Sequence, residues 1–127
     1  MSLETTPDER ALELAEELGE IVAELPVYEE FLEAKTAVEA DDDLQVEIEA
    51  FETQREEFLV ARENGSATND DLRDLQRAQQ QLHERPKMSE YLQAQSELEL
   101  QLQELNVTIS EPLELDFGEK AGGCCQD

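Results

Sequence analysis

The residues best equipped for chemistry lie at the C-terminal end, in the run Gly122-Gly123-Cys124-Cys125. Two thiols on a Gly-Gly lead point to soft-metal or iron–sulfur ligation, or to thiol exchange, because thiolates are the ligands and nucleophiles of that chemistry. Their number limits it. A cluster ordinarily takes four thiolates, so the remaining ligands must come from a second copy or from another protein. Neighbouring cysteines also make a poor intramolecular disulfide, since the ring they close is strained. Cys124 and Cys125 are therefore the candidate metal ligands, for a soft metal or an iron–sulfur cluster shared between chains. Two idle thiols in a free tail are the alternative reading.

Other reactive residue types read as structural. His83 is the single histidine, so no second imidazole can join it on a metal. It falls in the last turn of a predicted helix, where a cation suits the negative end of the dipole. The run Asp41-Asp42-Asp43 lacks the spaced ligands, glycine and closing glutamate of a calcium loop. It reads instead as a helix N-terminus, where carboxylates accept from free N–H groups. There is no Gly-rich phosphate loop and no nucleophile–base pair, and no two carboxylates stand out as an acid/base pair. No catalytic or cofactor-binding residue is assigned, and no enzyme is expected.

The background explains why no pair stands out. Among 127 residues, 34 are acidic and 9 basic, a net charge of −25. Such a surface argues against direct contact with nucleic acid, whose phosphates need Lys and Arg, and against docking on anionic lipid. Lysine is scarce, with only Lys35, Lys87 and Lys120 against six arginines. An acidic excess of this kind suits a protein living in molar salt, where a Debye length of about 3 Å screens one carboxylate from the next. Low hydrophobicity with high charge is also the composition of disorder, but the periodicity below favours a fold. Met1 to Thr6 has neither a basic nor an apolar run, so no signal peptide is expected. No apolar stretch approaches the roughly 20 residues that span a bilayer. A cytoplasmic protein is expected.

Five amphipathic helices can be read. The first starts at Thr6-Pro7-Asp8-Glu9, a capping box with proline at the first helical position. It carries Ala11, Leu14, Leu18, Ile21, Val22 and Leu25 on one stripe. Pro26 interrupts it and opens a second helix with Tyr28, Phe31, Leu32, Ala34 and Val38. The third runs from about Asp43 to Glu63, with Leu44, Ile48, Phe51, Phe58 and Leu59 on one face and Arg55 within that stripe. Arg55 either snorkels or pairs with a carboxylate of a neighbouring helix. Asn64-Gly65 predicts a left-handed C-cap.

Thr68-Asn69-Asp70-Asp71 opens the fourth helix, with Leu72, Leu75, Gln79 and Leu82. Pro86 opens the fifth, in which Met88, Tyr91, Gln95, Leu98, Leu102, Leu105 and Ile109 follow a 3-4-3-4-3-4 spacing. That is a heptad seam on a helix roughly 36 Å long. After Pro112 no period is visible, and the tail 113–127 is expected to hang free. The fold class is therefore all-α: about five helices in a hairpin or bundle over residues 1–112, with a long C-terminal helix. Narrow apolar stripes suit a core completed by oligomerisation.

These segments, in this order, resemble the YlbF/YmcA family of small helical regulators. The likeness rests on 11–19 (ALELAEELG), Val27-Tyr28-Glu29-Glu30-Phe31, Val38-Glu39-Ala40-Asp41-Asp42 and Ile48-Glu49-Ala50-Phe51. It continues in Arg85-Pro86, 91–98 (YLQAQSEL) and Leu105-Asn106. It spans residues from about 8 to 112. The resemblance implies a non-enzymatic regulator that self-associates and binds sister proteins. In bacterial relatives it would bear on competence, sporulation and biofilm formation, and on a membrane-anchored endoribonuclease in mRNA processing. Some members of that bacterial complex of sister proteins use C-terminal cysteines to hold [4Fe–4S] clusters. Here only Cys124 and Cys125 match, adjacent and two in number, a departure from a better-spaced ligand set. The acidity points to a halophilic archaeal member, for which sporulation is no output.

The expectation is thus a cytoplasmic adaptor. It would form a homo-oligomer and bind sister family members or an RNA-processing factor, and so modulate RNA processing or gene expression. Two other classes are a prefoldin-like helical chaperone, disfavoured by the breaks at Pro26, Asp41–Asp43, Gly65 and Pro86, and a small thiol or iron–sulfur carrier using the Cys-Cys tail.

Overall fold

The computed structural model describes residues 6–122. Among them are six helices and no strand: α1 (Pro7–Val22), α2 (Pro26–Glu39), α3 (Asp42–Glu63), α4 (Asn69–His83), α5 (Pro86–Ser110) and α6 (Phe117–Ala121). The local code sets most of the boundaries. Thr6 and Glu9 form a reciprocal capping box on α1, both bonds at 3.1 Å, and Thr68 with Asp71 repeats it on α4 at 3.0 Å. Prolines open α1, α2 and α5 at the first helical position, where the missing N–H costs nothing.

The end of α3 is a Schellman motif. The Ser66 N–H donates to the Ala61 carbonyl at 2.8 Å and the Gly65 N–H to the Arg62 carbonyl at 3.2 Å. Gly65 takes φ +76°, a left-handed conformation that other residues adopt only with strain.

The chain folds back on itself as two bent rods, α2–α3 and α4–α5, with α2 against α5 and α3 against α4. The rods run antiparallel. Val38 at the end of α2 meets Met88 at the start of α5. Two turns back along α2, the Phe31 ring lies against Tyr91, with centroids 5.6 Å apart.

Each rod breaks after a two-residue turn, at Ala40-Asp41 and at Glu84-Arg85, and the two breaks sit side by side. The core lies at this elbow: Val38, Leu44, Leu82 and Met88 are buried, with Ile48, Phe51 and Tyr91 against them. Polar side chains tie the joint. Asp41 caps α3 by accepting from the Leu44 N–H at 3.0 Å and pairs with Lys87 at 3.1 Å. Arg85 pairs with Glu47 of α3, and the Gln45 amide donates to the Val38 carbonyl at 2.9 Å.

Two stripes turn differently from the spacing read in the sequence. Gln54, not Arg55, lies half-buried between Phe51 and Phe58 on α3, and Ala78, not Gln79, faces inward on α4. Both corrections have one cause: a helical stripe can step by three or by four, and the facing helix selects the step. Arg55 stands exposed beside Glu49, Glu52 and Glu56 of its own helix. Among the described residues it forms no ion pair.

The stretch after Pro112 also departs from the free tail expected for it. Asp116 caps the short helix α6, accepting from the Glu119 N–H at 2.8 Å. Two residues of α5 hold it: Asn106 accepts from the Gly118 N–H at 2.6 Å, and Ser110 Oγ accepts from the Phe117 N–H at 2.8 Å.

Candidate functional site

Cys124 and Cys125 lie outside the described residues. Their donor set can still be judged by count. One chain carries two thiols, half of a four-thiolate set, and among the described residues no group of His, Cys, Asp or Glu could hold a metal ion. A single chain therefore does not fit a [4Fe–4S] cluster. His83 closes α4 in its last turn, exposed, as the helix-terminus reading predicts. Asp42 and Asp43 occupy the first turn of α3 behind the Asp41 cap.

Two carboxylates are electrostatically distinct. The Leu44 N–H, and after it the Lys87 ammonium, hold the Asp41 carboxyl below the usual carboxylate range. The Glu119 N–H and the Asn106 amide do the same for Asp116. Both are structural caps. Between α2 and α5 a shallow hollow is lined by Glu30, Glu33, Glu90 and Glu97 around Ala34, Ala37 and Ala94. The small residues let the helices approach, and the carboxylates face water.

Unpartnered apolar surface is what this fold offers. None of the residues of α1 is buried, and α1 forms no helix–helix interface comparable to those of α2–α6. Its stripe leaves Leu14 49% and Ile21 57% exposed. The far half of α5 runs on past the start of α2, with Leu102 41% exposed and Leu105 and Ile109 half-buried. Sequence reasoning found both stripes by period. It did not show which half of α5 finds a partner within the chain.

The model of a protein family described as control of competence regulator ComK, YlbF/YmcA, matches residues 11–114. The chain belongs to the YlbF/YmcA family. No curated protein and no solved structure matches it. In this YlbF/YmcA chain the match begins within α1 and ends before α6, so it covers the elbow and both exposed stripes. It does not reach Cys124 or Cys125. No helix among the described residues is long and apolar enough to cross a membrane.

Proposed function

We propose that this chain is a non-enzymatic regulatory adaptor that self-associates and binds protein partners to modulate RNA processing or gene expression. The observation that carries the reading is the family match over residues 11–114. The exposed apolar stripes of α1 and α5 support it, because contiguous apolar surface on a polar protein marks an interaction site. The partners in this reading are further YlbF/YmcA-family chains or an RNA-processing factor, met in the cytoplasm of a halophilic archaeon. Nucleic acid is contacted only through them, since a net charge of −25 repels phosphate. Cys124 and Cys125 enter as a soft-metal or iron–sulfur ligand pair that a second chain must complete.

The test is isolation of the chain, tagged at its N-terminus, from its own host in high salt under anaerobic conditions. Stoichiometric recovery of a second family member or a ribonuclease supports the adaptor. Recovery of a spread of unfolded clients would instead favour a chaperone. An absorbance band near ~400 nm, the charge-transfer region of thiolate-ligated iron–sulfur clusters, lost on Cys124→Ser with Cys125→Ser, would assign the tail to a shared cluster.

A further inference from the structure

A folded monomer of 14.4 kDa is expected to expose about 6,800 Å². This chain exposes 10061 Å². The ten terminal residues outside 6–122, counted as fully open chain, add about 1,500 Å² at most, which leaves an excess of about 1,800 Å². Obligate dimers bury about 1,000–2,500 Å² on each partner, so the excess has the size of one such interface. The buried hydrophobic set is correspondingly small: Val38, Leu44, Leu82, Met88, Ala94 and Leu98.

The open surface is patterned. Ala11, Leu14, Leu18, Ile21 and Leu25 repeat at 3-4-3-4, and from the buried Leu98 outward Leu102, Leu105 and Ile109 continue a 4-3-4 repeat, Leu102 exposed and the other two half-buried. Each is one half of a knobs-into-holes seam that lacks its other half. The lengths allow the pairing, since α1 at 16 residues spans about 24 Å and covers the stretch from Leu98 to Ser110, about 18 Å, with about one turn to spare. Within the chain, α1 turns away at Ala23–Leu25 instead of lying along α5, and α6 docks beside the seam through Asn106 and Ser110 without closing it.

We propose that a second copy of this chain covers these faces, α1 of one protomer lying in the Leu98–Ile109 seam of its partner and reciprocally. A two-fold exchange fills both half-seams at once and leaves no open end for a filament. The proposal rests on the self-associating adaptor reading and names the surfaces that reading would use.

The experiment is light scattering on the full chain in molar salt, with helicity followed by circular dichroism. The unmodified chain is expected at twice 14.4 kDa. Leu14→Glu with Ile21→Glu, and separately Leu102→Glu, are expected to halve the mass with helicity retained, because these side chains are exposed in the protomer. Placement is read by a short bismaleimide cross-linker after Cys124→Ser and Cys125→Ser. A Leu14→Cys chain mixed with a Leu102→Cys chain is expected to give a covalent dimer, and neither chain alone. An unmodified chain that stays monomeric overturns the exchange, and so does cross-linking of the Leu14→Cys chain to itself. A monomeric chain also removes self-association from the adaptor reading, whereas cross-linking of the Leu14→Cys chain to itself overturns the exchange alone; partner binding stands or falls on the proteins recovered with the chain.

Discussion

Lys87 reaches across the elbow to Asp41, its ammonium 3.1 Å from the carboxylate, joining the first turn of α5 to the cap of α3. Asp41 is thereby held from two sides. It caps its own helix through the Leu44 N–H and pins the second rod to the first. Its carboxyl is lowered in the folded chain, chiefly by that N–H and next by Lys87. A group with a depressed folded pKa adds stability above its unfolded pKa and loses it as pH falls through the folded value. The thermal midpoint is therefore expected to fall as pH drops below about 4. In Asp41→Asn that part of the acid sensitivity should be reduced, and Asp41→Ala should lose midpoint at neutral pH as well. Thermal melts from pH 7 to pH 2 check both; identical pH profiles for all three proteins would remove the role given to Asp41.

Leu44 is the most deeply buried side chain, with 1% of its surface exposed, directly behind that cap. Truncating it leaves a cavity where both rods bend, and Leu44→Ala is expected to destabilise the chain by about 2–5 kcal/mol. Leu12→Ala, on the open side of α1, should stay within about 0.5 kcal/mol. Urea unfolding of the two variants measures the contrast. Equal losses would mean that the core does not sit at the elbow.

The contrast also marks how much of the fold was legible. Thr6–Glu9, Thr68–Asp71, Pro26, Pro86 and Asn64-Gly65 each state a boundary within a few residues, so period and punctuation found five helices. The elbow was not legible, because Lys87 and Asp41 are 46 positions apart and no local rule links them. Spacing alone cannot choose between steps of three and four, so it sets Arg55 and Gln79 in the stripes where Gln54 and Ala78 turn inward. Helix α6 was missed because five residues are too few to show a period. Its signal was the Asp116 cap, which only Asn106 and Ser110 turn into a docked turn. Of the candidate site, the α1 and α5 stripes were readable, whereas Cys124 and Cys125 remain a composition signal.

Gly118 is the test of that docked turn. A Cβ on it would stand 2.7 Å from Asn106 Oδ1, the atom that accepts its N–H. Gly118→Ala is expected to detach α6 from α5, raising amide exchange at Phe117 and Gly118 while the elbow amides keep their protection. Asn106→Ala should do the same by removing the acceptor. Hydrogen exchange followed by NMR resolves the two regions, and unchanged protection of α6 in both variants would show that Asn106 does not hold it.

Salt acts on the whole assembly. Helix α1 carries Asp8, Glu9, Glu13, Glu16, Glu17 and Glu20 against Arg10 alone, and the far half of α5 adds Glu99 and Glu104 with no base. Pairing these faces brings like charges together, so apolar contact must outweigh their repulsion. At about 1 M salt the Debye length of ~3 Å confines that repulsion to near neighbours, whereas at about 0.1 M it reaches ~10 Å and spans the seam. Dilution from molar salt to about 0.05 M is therefore expected to halve the scattering mass and lower helicity. The α3–α4 hairpin carries Arg55, Arg62, Arg73 and Arg77, with Arg73–Asp70 and Arg77–Asp74 paired on its surface. It should lose less structure than α1. Light scattering and circular dichroism across a salt titration read both effects, and an unchanged mass and spectrum at the low-salt end would show that screening does not hold the seam together.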